Sequence, residues 1–215
     1  MTDKVVLDNV RKEIKGSVVL GGINVSFQSG NIYGIRGQNG SGKTMLLRAI
    51  SGLIKLSSGR ITIDGKVLHE DIDYPQSIGV MIENPQFWKH YTGYQVLKTL
   101  AAIKKIISEQ EIKMAIERVG LDPEDKRHIN KYSLGMKQRI GIAQAIMEKP
   151  EIILLDEPTN ALDQSGIQLI RNVIREEKER GALVIIATHE PNEIAMCDRI
   201  VTMMQGRISD IADAT

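Results

Sequence analysis

The chain has 215 residues, 42% apolar and 26% charged, enough for one domain with a substantial buried core. Its net charge of +1 comes from 28 basic and 27 acidic residues mixed along the chain, so it lacks the clustered positive excess with which nucleic-acid binders meet phosphate backbones. Cys197 is the single cysteine, which excludes an internal disulfide framework, and no apolar run approaches the roughly 20 residues that span a bilayer.

In chain order, Met1-Thr2-Asp3-Lys4 is too short and polar for a signal peptide, so a cytosolic chain is expected unless a partner holds it at a membrane. Val5-Val6-Leu7 predicts a short strand. Ile23, Val25 and Phe27 alternate with polar residues, the period of a half-buried strand. Ile32-Tyr33-Gly34-Ile35 is a further strand, and it feeds Gly37-Gln38-Asn39-Gly40-Ser41-Gly42-Lys43-Thr44. That run is a phosphate-binding loop pattern, G-x-x-x-x-G-K-[ST], between a strand and a helix. Gly37, Gly40 and Gly42 let the backbone curl, so that the N–H groups of Asn39, Ser41 and their neighbours point inward at an anion. The helix opening near Lys43 adds its positive dipole end. Lys43 can reach the β- and γ-phosphates of a nucleoside triphosphate, and the Thr44 hydroxyl can ligate Mg²⁺.

Gly52 reads as the cap of that first helix. Ser57-Ser58-Gly59 reads as a loop, and Arg60-Ile61-Thr62-Ile63 as a strand ending in the hairpin signal Asp64-Gly65. The first 80 or so residues thus mix an antiparallel sheet with the start of a nucleotide-binding core. Ile78 to Ile82 is another strand. Helical spacing then begins, with Val96, Leu100, Ile103 and Ile107 on one face. A capping box, Ser108 to Glu111, opens a second helix with Ile112, Ile116 and Val119 inside. Residues 84–135 read as a helical insertion.

Ser133 reads as the cap of a helix running to Lys149, and Gly135 sits in its first turn, so this helix also offers free N–H groups to an anion. Ile152-Ile153-Leu154-Leu155 is a strand buried on both faces, and it ends in Asp156-Glu157. Asp156 is placed to hold Mg²⁺, and Glu157 to orient or deprotonate a water aimed at the γ-phosphate. A helix over 165–180 has a solvated face from Arg175 to Arg180, and Cys197 reads as a small residue on a helix. Leu183 to Ala187 is a buried strand, followed by Ile200 to Met204 and Arg207-Ile208.

Together with Tyr132-Ser133-Leu134-Gly135-Met136-Lys137-Gln138-Arg139, Asn160-Ala161-Leu162-Asp163 and Thr188-His189, these motifs resemble the ATPase domain of ATP-binding cassette (ABC) transporters over essentially the whole chain. The resemblance implies a single α/β domain, 1–215. It has a P-loop NTPase core with a mixed or parallel sheet, an N-terminal antiparallel β subdomain and the helical subdomain. It implies ATP and Mg²⁺ as ligands and a head-to-tail dimer with a second ATPase subunit, expected to be another copy of the chain. Each ATP then lies between the P-loop of one chain and Ser133 and Gly135 of the other. His189 is expected at the γ-phosphate and Asp163 between the two sites. Transmembrane permease subunits encoded separately, and a position at the cytoplasmic face of the membrane, are implied as well.

Three positions depart from the family pattern. Leu134 replaces the first glycine of the signature and crowds the approach of a partner. Ile14 stands where an aromatic often stacks on adenine. The metal-sensing glutamine aligns with Glu83, with Gln86 as the rival. A glutamate there, and the sequence around it, is similar to the branch that exports lantibiotics and bacitracin. Phe87, Trp88, Tyr91 and Tyr94 gather at the same hinge. A soluble ABC ATPase acting on nucleic acid or ribosomes is the alternative. Such chains usually carry a coiled-coil insertion or tandem cassettes, and this sequence shows neither.

Overall fold

A computed structural model describes residues 3–213, so the first two residues of the polar N-terminus lie outside the described part. Among these residues the strands form two sheets. The first is antiparallel, in the order β2-β1-β4-β5, and comprises β1 (Asp3–Ile14), β2 (Ser17–Gln28), β4 (Ser58–Ile63) and β5 (Lys66–Val67). The second has the order β10-β9-β3-β8-β7-β6, comprising β3 (Ile32–Arg36), β6 (Ile78–Met81), β7 (Ile152–Asp156), β8 (Leu183–Thr188), β9 (Arg199–Met204) and β10 (Arg207–Asp213). Its pairings are parallel except for the hairpin partner β10.

The continuous apolar runs of β7 and β8 follow from a sheet covered on both faces. Ile153, Leu155, Val184 and Ile186 point into one core with α4 (Leu134–Ile146) and α5 (Gln164–Glu179). Their neighbours Ile152, Leu154, Leu183 and Ile185 point into a second core with α1 (Lys43–Ile50) and the antiparallel sheet. At Gly79 in β6 an added Cβ would collide with Ala145 O, so α4 sits as close to the sheet as a backbone can. Helices α2 (Gly93–Lys104) and α3 (Glu109–Arg118) pack against α4, and their buried side chains belong to the first core.

Several local expectations hold. The Ser108–Glu111 capping box forms in both directions. Ser133 accepts from Met136 N, and Asp64 and Gly65 take the left-handed conformations of a tight hairpin. Others need correction. The strand at Val5 runs on to Ile14, because a bulge at Asn9 (φ 49°) bends it and breaks the period of two. Ile103 is 77% exposed, since α2 buries Val96, Leu97 and Ala101 and ends at Lys104. The signature helix stops at Ile146 rather than Lys149. Glu177, expected on a solvated face, is buried between Arg118 and Arg180. Cys197 lies beyond the short α6 (Pro191–Ile194), where burial pushes its thiol up to about 12.

Candidate functional site

Three adjacent parallel strands, β3, β8 and β7, deliver their carboxyl ends to one edge of the sheet, where ligands of open α/β folds bind. From β3 the chain enters the glycine loop. Gly37 permits that turn because a Cβ there would strike Ser41 Oγ and Met203 O. Gly42 caps α1 at φ 102°, which only glycine takes at ease. Lys43 is buried, and its Nζ donates to Gly37 O at 2.7 Å and Gln38 O at 3.3 Å, so the ammonium lies across the loop. Ser41 Oγ is buried without a hydrogen-bond partner. A cavity of about 620 Å³ opens there, bounded by Asn39, Gly40 and Thr44 among others. A cradle with a buried ammonium and an unpartnered hydroxyl fits the terminal phosphates of a nucleotide.

From β7 comes Asp156, buried, whose carboxylate accepts from Thr44 Oγ1 at 2.8 Å. Burial pushes this carboxyl above its ordinary value, opposed chiefly by the Thr44 hydroxyl. A hydroxyl and a carboxylate at this separation beside a phosphate cradle suit Mg²⁺, which takes few protein ligands and completes its shell with phosphate oxygens and water. Glu157 follows at φ 47°, and its N–H donates to Ala187 O of β8 at 2.8 Å. Its Oε1 lies 2.8 Å from Nδ1 of His189, just past the end of β8, while its Oε2 is buried and unpartnered. The pairing with Glu157 raises the His189 pKa.

Other predicted residues lie elsewhere. Glu83, at φ 61°, turns its carboxylate to Arg48, 2.8 Å away, while its main chain lies beside Asp156. Gln86 lines a separate groove with Leu134 and Lys137. Ser133 and Gly135 do not line the phosphate cavity of their own chain. The Ser133 hydroxyl caps α4, and Gly135 packs so closely on the Ala161 carbonyl that a Cβ would stand 2.7 Å from it. Asp163 caps α5 by accepting from Gly166 N at 2.9 Å. Ile14 does not line the cavity, whereas Val18 on β2 does, 41% exposed. Val18, Gln205 and Gly206 carry no motif, and only folding brings them to the loop.

Fold and site together define a P-loop NTPase. The family model described as "ABC transporter" matches residues 20–160. An uncharacterised ABC transporter ATP-binding protein of Bacillus subtilis (strain 168), YybJ, is 50% identical over 93% of this chain and 92% of its own length. The bacitracin transport ATP-binding protein BcrA of Enterococcus faecalis is 37% identical over 94% of this chain and 66% of its own. Among solved structures, the dimeric cassette MJ0796, described as a bacterial ABC transporter cassette, superposes with a TM-score of 0.89 at 24% identity, over 98% of this chain and 99% of that one. The chain belongs to the ABC transporter family, as one of its ATPase cassettes.

Proposed function

We propose that the chain binds MgATP at the glycine loop and hydrolyses it to drive transport through separate transmembrane permease subunits. The observation that carries this reading is the convergence of two contacts, Thr44–Asp156 and His189–Glu157, on one phosphate cradle. Gly37, Asn39, Gly40, Ser41 and Gly42 wrap the phosphates, and the Lys43 ammonium leaves the loop carbonyls for the β- and γ-oxygens. Thr44 and Asp156 hold Mg²⁺, with Glu83 reaching it through main chain or water. Bound there, the ion neutralises phosphate charge. Glu157 accepts a proton from a water as the water oxygen bonds to the γ-phosphorus and the bond to the bridging oxygen of ADP breaks. His189 holds the Glu157 carboxylate and faces the γ-phosphate.

Ser133 and Gly135 begin a helix with free N–H groups and are not at the cavity of their own chain. As the family resemblance implies, they meet the γ-phosphate bound by a second copy, with Asp163 near the seam. The cassette MJ0796 is itself dimeric. ATP favours the closed pair because both chains grip its last phosphate, and hydrolysis removes that preference. The helical insertion, 84–135, is the permease-facing part: Trp88 and Tyr91 are exposed there with rings 5.6 Å apart. No helix among the described residues is long and apolar enough to cross a membrane. A peripheral place at the cytoplasmic face, held by the permease, accords with that. Glu83 and the likeness to BcrA favour export of a peptide antibiotic.

The test is purification from the native cell. Copurification with a polytopic membrane protein, and ATP turnover stimulated by candidate peptides, is expected. Recovery with nucleic acid or ribosomes instead would overturn the transport reading.

A further inference from the structure

The Glu157 carboxylate can serve as a proton acceptor only if the backbone beneath it is fixed. At φ 47° that backbone is in the left-handed region, which is strained for a non-glycine residue and persists only where neighbours over-determine it. Strand β8 holds one side through the bond from Glu157 N to Ala187 O. The other side is held by a side chain of α4. Gln138 is buried, 3% exposed, and its Nε2 lies 3.0 Å from Glu157 O and 3.3 Å from Pro158 O. Both partners are carbonyl oxygens, so the amide must present its NH₂ group, whose two protons are used here.

We propose that Gln138 is a positioning residue for hydrolysis. Its amide clamps the main chain of Glu157 and Pro158, so that the carboxylate stays turned toward His189 and the glycine loop. The inference rests on the reading of Glu157 as proton acceptor. Gln138 lies on the helix whose first turn carries Ser133 and Gly135, so a displacement of that helix acts directly on Glu157. Packing alone does not demand glutamine here. Methionine is of similar length and adaptable but donates nothing; glutamate has the same shape but turns acceptors toward acceptors.

ATP turnover of the full chain tests this with Gln138→Met, Gln138→Glu, Glu157→Gln and the double variant Gln138→Met/Glu157→Gln, the slow rates being read with radiolabelled ATP. Each single change at 138 is expected to lower kcat roughly tenfold to a hundredfold, as a misplaced catalytic group does. KM for ATP should stay within about twofold, because the glycine loop is untouched. In the double variant the change at 138 should add no loss, since the carboxylate it positions is gone. A purely structural glutamine would lower both backgrounds by the same factor. Where Gln138→Met does not fold, judged by nucleotide binding, the equally shaped Gln138→Glu takes its place. Wild-type kcat in the 138 variants beside an inactive Glu157→Gln overturns the inference and leaves Glu157 in its role. Wild-type turnover by Glu157→Gln overturns both.

Discussion

His189 Nδ1 stands 2.8 Å from Glu157 Oε1, so the end of β7 and the loop after β8 meet through a single hydrogen bond. The other carboxylate oxygen, Oε2, is buried and has no partner. One oxygen of Glu157 is thus fixed by His189 and the other by none of the described residues.

Glu157→Gln removes the acceptor but keeps the shape. Turnover should fall below roughly a hundredth of the wild-type rate, and His189→Ala should lose on the order of a hundredfold or more. Steady-state hydrolysis at saturating ATP measures both, and a fast Glu157→Gln enzyme would contradict the assignment.

The same pair carries a pH signature. The hydrogen bond and charge of Glu157 raise the His189 pKa above 6.5. A raised folded value stabilises the protein fully below the unfolded pKa and stops doing so as pH rises through the folded one. His189 is about half exposed, so the effect is small. The gap in melting temperature between wild type and His189→Gln should be largest near about pH 6 and shrink toward about pH 9. A gap that widens with pH would refute the pairing.

Thr44 and Asp156 share one hydrogen bond and are the proposed metal ligands. Chelation with EDTA should stop hydrolysis and added Mg²⁺ should restore it. Asp156→Asn should lose turnover even at high Mg²⁺, and retention of full activity would sink the ligand assignment.

Glu177 holds Arg118 of α3 at 2.7 Å and Arg180 at 2.6 Å, with its own side chain 3% exposed. Glu177→Ala takes the shared carboxylate from Arg118 and Arg180, which are each about a third exposed and keep Glu176 and the Pro150 carbonyl as partners, so the change costs about 1–2 kcal/mol. Urea unfolding should show the shift in midpoint, and an unchanged midpoint would argue against a supporting role.

Much of this was legible because it is local. A glycine loop between strand and helix, two acids after an apolar strand, and serines that cap helices are written in consecutive residues, and Lys43, Asp156, Ser108 and Ser133 stand where those patterns put them. What escaped depends on contacts across the fold. Glu177 reads as solvated until α3 brings Arg118 to it. Val18 becomes a cavity wall only when β2 passes the glycine loop. Ile14 aligns with an adenine contact, but the β1–β2 hairpin carries it to the exposed end of its strand. Gln138 stands inside the motif that resembles the family signature, but its contact with the main chain of Glu157 exists only once β7 ends beneath it.

Shared grip on the last phosphate is the claim on which the motor depends, and sedimentation of Glu157→Gln protein tests it most directly. With saturating MgATP the chain should sediment at twice its monomer mass, and with ADP or no nucleotide as a monomer. A monomer in saturating MgATP would contradict the account.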